Sequence, residues 1–506
     1  MEISMKKRLF CLFLVLILVL TSFVACGSNG ENEKKDGKGE SAKTETGEVK
    51  ENEFAEIESY VDDLASGVNY DGQTFTYIGF GDDFPSEEKI TGELYNDAAY
   101  SREIALEEKF GIDFVNLITE NGDYTTDMVS REVMSGGTSY DLAKGLMMTV
   151  GQPLMLQNCL MDVSNFQTID LSQKWWLQSL QEVYTLYDKL YFLSGSIVSN
   201  HFLDASCMMF NKQVAENYNI TGIYDIVHEG DWTIDKMLEV ASVIPTNTDG
   251  SGTWRFCIYP YRSIGEDLLF SAGFTISHRD DEGNLYIPEA LPKELSDFAD
   301  KVSAFLGDDT QTCATRILKG EMEDTNVKYG YKGIEGIFED DKILFMFGST
   351  ELVTQLRNLD VEFGVIPEPK RDEYQKDYIS SGNGSGWCVY VPKVVRDVEF
   401  VDMITEAMAA LSDEYIRPAY LEKMLKGRST DDIESRYYID IVFNARVNDM
   451  IDIFGGGDRN SQGDFVNLLS RSIENGSEGL ASGYIPNAKL TQRKINSMMK
   501  QVARDQ

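Results

Sequence analysis

The chain of 506 residues is poor in histidine, with His201, His228 and His278 only, and holds five tryptophans and eleven prolines. It contains no HExxH, no GxSxG, no Cys-x-x-Cys and no cysteine–histidine signature. The familiar ligand sets of zinc hydrolases and the nucleophile elbow are therefore missing. Beyond residue 20 there is no second long apolar run, so no later segment has the make-up of a spanning helix. Basic residues are scarce: 46 Lys and Arg stand against 84 Asp and Glu, a net charge of −38. Such a field repels nucleic acid, phosphates and anionic lipid heads, and tolerates neutral or cationic ligands. Besides Cys11 and Cys26 there are five cysteines, Cys159, Cys207, Cys257, Cys313 and Cys388. An odd number without close spacing reads as buried thiols, not as a disulfide framework. TNTDGSG lacks the glutamate of a calcium loop, and GNGSG and GGGD (455–458) lack the lysine and spacing of a phosphate loop; all three read as turns. Neither a metal nor a cofactor is expected.

What is present starts at the N-terminus. Lys6, Lys7 and Arg8 precede LFCLFLVLILVL, an apolar stretch of residues 9–20 too short for a stop-transfer helix. It ends in Phe23-Val24-Ala25-Cys26, which resembles the lipobox of bacterial lipoproteins, although leucine is usual where Phe23 stands. The resemblance implies cleavage after residue 25 and acylation, palmitate included, of Cys26. Glu2 fits an n-region badly, so Met5 is an alternative start. Gly27–Glu53 has one aliphatic residue larger than alanine, Val49. A segment so poor in apolar surface cannot offset chain entropy and is expected to be disordered. As a flexible coil, a tether of about 40 residues reaches roughly 35 Å. Residues 1–25 thus read as signal peptide and 26–69 as lipidated cysteine plus tether, followed by a soluble body held at a membrane. Removal of the leader leaves 43 basic and 83 acidic residues, a net charge of −40.

In the body, strand and helix signals alternate, which indicates an α/β fold. QTFTYIGF predicts a strand ending at Gly81-Asp82-Asp83. A helix follows with Asn96 as its N-cap and Gly111 just past its end, then the strand IDFVNLI. A second helix over 126–134 leads to a third strand in LAKGLMM, the succession of an open parallel sheet. Farther on, Thr233 caps a helix with Ile234, Met237, Leu238, Ala241 and Ile244 on one face. ILFMFGSTEL is a strand entering a helix with Ser349 as its cap, and Phe400, Ile404, Ala407 and Leu411 share a helix face.

The order of SGGTSYDLA, MMFNKQVAENYNI, DWTIDKM, DGSGTWRFCIYPYR, ILFMFGSTEL and EFGVIPEPK leading to SGNGSGWCVYVPK resembles the bacterial extracellular solute-binding proteins of family 1, which serve carbohydrate-importing ABC transporters. The resemblance covers nearly the whole mature chain. It implies a periplasmic-binding-protein-like class II fold of two α/β lobes with a hinge and an interlobe ligand cleft. Mapped here, the first lobe takes 70–200 plus 363–412 and the second 201–362 plus 413–506, with crossings near 194–204, 361–366 and 411. It further implies a lipid-anchored, extracytoplasmic monomer whose partners are a carbohydrate and ABC permease subunits. The length favours an oligosaccharide.

A sugar presents flat C–H faces and a rim of hydroxyls, so its site needs aromatic faces and hydrogen-bonding side chains. Trp175 and Trp176, a pair often present at this place in the family, are candidates for stacking, against a helix-packing role. Trp254, Tyr259 and Tyr261 are candidates by the family's placement of aromatics, and Trp387 by its glycine-rich turn. Trp232, directly before a helix cap, reads as a staple onto the core. Asp82 and Asp83 follow the first strand, where a cleft loop belongs. Ser349 and Thr350 open a helix with free N–H donors, Glu351 is an acceptor or a first-turn acid, and Arg262 is a donor or a surface ion pair. No catalytic residue is expected, since paired carboxylates among 83 acids carry no weight for a glycosidase. A peptide or polyamine ligand, and a surface sensor or adhesion module of the same fold, are the alternatives.

Overall fold

The computed structural model describes residues 45–81, 84–85, 90–258, 264–313, 333–382, 386–425, 432–451 and 465–504. The chain divides into Met1–Glu53 and Phe54–Gln506, and all but residues 45–53 of the described chain belong to the second. The expected signal peptide, Cys26 and the expected tether up to residue 44 lie outside the described residues.

Fourteen strands occur among the described residues, and ten of them form two four-stranded sheets and a short pair. The first three are β1 (Gln73–Gly79), β2 (Ile112–Ile118) and β3 (Leu142–Leu146), and the next three are β4 (Ser206–Asn211), β5 (Trp254–Ile258) and β6 (Ile343–Ser349). They are followed by β7 (Phe363–Ile366), β8 (Ser380–Ser381), β9 (Trp387–Tyr390) and β10 (Arg446–Val447). One four-stranded sheet has the order β9-β3-β1-β2 and another the order β7-β4-β6-β5. In the first, β1 pairs parallel with β2 and β3, and β9 runs antiparallel with Trp387 opposite Leu146. The ends of β1 and β3 and the start of β9 therefore share one edge. In the second, β5, β6 and β7 run one way and β4 the other, with Ser349 opposite Ser206 and Ile366 opposite Met208. The ends of β6 and β7 and the start of β4 share an edge in the same manner. A short parallel pair, Ser380↔Arg446 and Ser381↔Val447, links two segments that lie outside both sheets. SCMMFN and ILFMFGS are buried at every position, as befits strands covered on both faces.

The helices used below are α1 (Glu45–Ala65), α2 (Leu94–Phe110), α3 (Gly122–Ser135), α4 (Ile234–Ala241), α5 (Thr350–Leu356) and α6 (Val398–Leu425). Gly111 ends α2 in the left-handed region, φ 66°, with its N–H on the Glu107 carbonyl. Thr233 caps α4 through the Lys236 N–H. Trp232 is fully buried against Phe345, ring centroids 5.3 Å apart. The expected face of α6, with Phe400, Ile404, Ala407 and Leu411, lies in the core that also holds Phe75 and Tyr77; farther along, Ile416, Tyr420 and Leu421 enter a second cluster with Cys207 and Met209. All five body cysteines are buried free thiols.

Four expectations change. The helix α1 begins inside the expected tether, because Ile57, Tyr60, Val61 and Leu64 form an apolar stripe that packs on the core. The boundary at 363 moves: Phe363–Ile366 pairs with β4, so the return to the first sheet comes after Ile366. The cap of α2 is Glu93, whose carboxylate accepts the Asn96 N–H at 2.9 Å, and not Asn96 itself. The third strand stops at Leu146, and Met147–Gly151 turns at once into a π-helical turn that leads into a short helix.

Candidate functional site

The first sheet's shared edge carries an aromatic wall. Gly81, just past β1, has φ +96°, and a Cβ there would lie 3.2 Å from Trp387 Cη2, 3.4 Å from Lys144 Nζ and 3.5 Å from Asn200 Oδ1. Only glycine adopts that backbone cheaply and lets three side chains converge on it. Lys144 stands on β3 with no exposed surface. Its ammonium lies 2.9 Å from Asn200 Oδ1, 4.5 Å above the Trp387 ring and 5.7 Å from the Phe84 ring. Phe80 packs on Trp387 at 4.9 Å with the rings tilted by 49°. Trp387 is half-buried, and its carbonyl accepts the Ser194 hydroxyl at 2.9 Å. A half-open indole beside polar side chains is the kind of surface on which a sugar's C–H face can rest.

Where the two sheets approach, the segments that cross between them are polar and buried. Ser206 Oγ donates to Glu368 Oε2 at 2.8 Å and accepts the Ser381 N–H at 2.8 Å. Arg446 donates to the His201 carbonyl at 2.8 Å and to His201 Nδ1. Since a guanidinium only donates, Nδ1 is the acceptor and the ring proton sits on Nε2. Burial, then Arg446 and Arg417, hold His201 well below the usual imidazole range, so it is neutral at pH 7. Asn448 donates to the Tyr184 hydroxyl at 3.2 Å, and its Oδ1 is buried without a partner.

Trp175 and Trp176 are brought together, but their indole edges are occupied. Both N–H groups donate to Glu406 on α6, at 3.0 and 2.9 Å. The Tyr60 hydroxyl (3.0 Å) and the Asp170 N–H (3.2 Å) complete the set. One turn earlier, Asp402 accepts the backbone N–H groups of Gln167, Thr168 and Ile169. Two carboxylates on one helix thus hold the whole segment 167–176. Burial raises the Glu406 carboxyl to about 7, against the lowering effect of Trp176, Trp175 and Tyr60. Beside this knot lies a cavity of about 280 Å³ lined by Trp175, Trp176, Ser196, His201, Asp413 and Arg417, among others. Gly195 closes tightly on it: with φ +154°, a Cβ would fall 2.1 Å from the Trp175 carbonyl.

Of the other candidates, Trp254 is 1 % exposed and belongs to the core with Cys257 and Met346. Ser349 occupies the N-cap position of α5 without a side-chain cap. The backbone donors there are not free: the Thr350 N–H goes to the Ala205 carbonyl at 3.0 Å and the Glu351 N–H to that of Leu203 at 3.1 Å. Thr350 Oγ1 is buried without a partner, and the Glu351 side chain accepts from Gln355 at 3.4 Å. Asp82, Asp83, Tyr259, Tyr261 and Arg262 lie outside the described residues. Sequence reasoning missed Lys144, Asn200 and Glu406. The signal for Lys144 was a lysine inside the apolar strand LAKGL; the other two carried none.

No protein-family model matches the chain, and no curated protein matches it significantly in sequence. Solved structures do match. The cyclic α-maltosyl-1,6-maltose binding protein of Arthrobacter globiformis superposes with a TM-score of 0.54 at 11 % identity, covering 85 % of this chain and 99 % of that one. The galacto-N-biose/lacto-N-biose I-binding protein of the ABC transporter of Bifidobacterium longum, in complex with lacto-N-biose, gives 0.52 at 12 %, covering 86 % and 98 %. The GacH receptor of Streptomyces glaucescens, known unliganded and with acarbose, gives 0.50 at 12 %, covering 85 % and 99 %. The fold is that of the class II periplasmic binding proteins, with a separate α/β lobe around each four-stranded sheet.

Proposed function

We propose that this chain is an extracytoplasmic solute-binding lipoprotein that captures a carbohydrate, an oligosaccharide in the first instance, and delivers it to an ABC importer without altering a covalent bond. The observation that carries the reading is the aromatic wall at the strand ends of the first sheet, where Phe80 and half-buried Trp387 meet Lys144 and Asn200. In open α/β sheets ligands gather beyond the carboxyl ends of strands, and the similar solved proteins bind sugars by their own descriptions. Trp387 is the stacking platform. Asp82, Asp83, Tyr259, Tyr261 and Arg262, which follow β1 and β5, supply contacts from the two lobes. Thr350 contributes its unpartnered hydroxyl. Residues 70–200, with α1 packed on them, and the chain from about 380 to 412 form the first lobe, and the remainder of the body forms the second. Closure is a hinge motion at the crossing segments, of the kind the periplasmic binding proteins exemplify. Cys26 carries the acyl anchor, and the membrane is met through it alone.

A glycan panel tests the reading by thermal shift. Ligand at about 100-fold over Kd stabilises by about 2.7 kcal/mol. If peptides or polyamines raise the melting temperature while glycans leave it unchanged, the carbohydrate assignment fails. Hydrolysis of an unlabelled oligosaccharide by the purified protein would overturn the non-catalytic part.

A further inference from the structure

Lys144 is a fully buried cation on a strand whose neighbours Leu142 and Ala143 are also fully buried. An ammonium taken out of water is costly unless specific partners replace the lost hydration. A methionine or leucine would fill the same space in the core without that cost. What the ammonium touches explains why a lysine stands there: Asn200 Oδ1 at 2.9 Å and the faces of Trp387 at 4.5 Å and Phe84 at 5.7 Å. These contacts come from separate parts of the chain. Asn200 belongs to the segment that leaves the first sheet for the second, and Trp387 begins the strand by which the chain returns. The Gly81 backbone, at φ +96°, leaves the opening through which the three side chains meet, since a Cβ there would crowd Trp387 Cη2 at 3.2 Å and touch the other two.

We propose that Lys144 is a positioning residue for ligand capture: its ammonium pins the Trp387 ring to Asn200, so that a sugar seated on the indole is coupled to the crossing segment that must bend when the lobes close. This rests on the reading that Trp387 meets a carbohydrate. A point-charge ammonium suits the role, because it can donate to the amide oxygen while lying over a ring face. The joint works in both directions. A ligand that fixes the indole fixes Asn200 through Lys144, and bending of the crossing segment re-aims the indole.

The test uses the full chain in detergent micelles, as Lys144→Met, Lys144→Arg and Asn200→Ala beside the unaltered protein. Two readouts are taken. The first, without sugar, is the Trp387 emission and its acrylamide quenching, obtained by difference from Trp387→Phe forms. The second is calorimetric affinity for maltotriose, lacto-N-biose and raffinose. Lys144→Met is expected to shift the Trp387 emission, to raise its quenching, and to weaken whichever sugar binds by about tenfold, the equivalent of losing one desolvated cation–π contact. Lys144→Arg should restore most of both effects, and Asn200→Ala should weaken binding while moving the emission less. The proposal is overturned if Lys144→Met leaves emission and affinity unchanged, or if the arginine form is as impaired as the methionine form. Should the unaltered protein bind none of the three sugars, that result counts against the carbohydrate reading. The sugar-free emission still decides whether Lys144 sets the indole: an unchanged spectrum rejects it.

Discussion

Two tryptophan sites in this molecule meet a buried charge in opposite ways. At Trp175 and Trp176 the charge is a carboxylate, and it takes the edges of the rings: both indole N–H groups end on Glu406. At Trp387 the charge is an ammonium, and it takes a face, 4.5 Å above the ring. The first arrangement spends the polar handle of each indole on the fold and leaves 3 % and 2 % of the residues exposed. The second leaves the ring half-open at a strand end. An indole held by its edge is a structural fastener; one steadied from a face keeps surface for a guest.

The contrast can be broken most directly at Glu406. Glu406→Ala strands two buried indole N–H groups, together with a part-buried phenol and backbone amide, and is expected to cost about 3–5 kcal/mol of stability by urea unfolding. If the loss is below about 1 kcal/mol, the knot is not a fastener. The acid dependence comes next in size. The folded-state carboxyl of Glu406 titrates at about 7, above its ordinary value of 4.5. Between those limits the folded chain binds the extra proton, so the contribution is full below pH 4.5 and is lost as pH rises through about 7. The loss is about 3 kcal/mol, measured as the difference in unfolding free energy between pH 5 and pH 8. Glu414, raised to about 7 first by burial, adds in the same direction. His201 opposes them: its depressed folded pKa makes its stability present above about pH 6.5 and lost as pH falls, so a His201→Gln form should flatten the acid limb of the profile.

At the other site the expected effect is on affinity. Trp387→Ala should weaken sugar binding on the order of 10- to 100-fold with little change in melting temperature, as for the loss of one central aromatic contact. The smallest effect sharpens the comparison. Trp176→Phe keeps most of the packing and removes one donor from Glu406, for about 1–2 kcal/mol of stability. Its sugar affinity, by titration calorimetry, should match that of the unaltered protein. A selective loss of affinity there would return Trp176 to the list of ligand contacts.

Features governed by nearest neighbours were legible. Gly111 ends α2 because a left-handed residue is needed there, and Thr233 caps α4 because its hydroxyl reaches an N–H three residues on. Trp232 was a staple for the same local reason. Fully apolar runs such as ILFMFGS announced buried strands. The start of α1 was missed because tether composition masked the stripe from Ile57 to Leu64, which only the core it meets makes useful. The role of Trp175 and Trp176 was out of reach because Glu406 lies about 230 residues away in the chain. Likewise, the donors of Thr350 and Glu351 seemed free until carbonyls of Ala205 and Leu203 came to meet them.

The order of amino acids determined by itself the alternation of strands and helices, several of their caps, and which of their faces are apolar. These follow from periodicity, caps and hydrophobic content, whose energies act within a few residues. Tertiary structure alone decided that Trp175 and Trp176 are fasteners and that Trp387 stays half-open. That depends on whether a carboxylate or an ammonium arrives, and at edge or face, from a strand or helix remote in the chain.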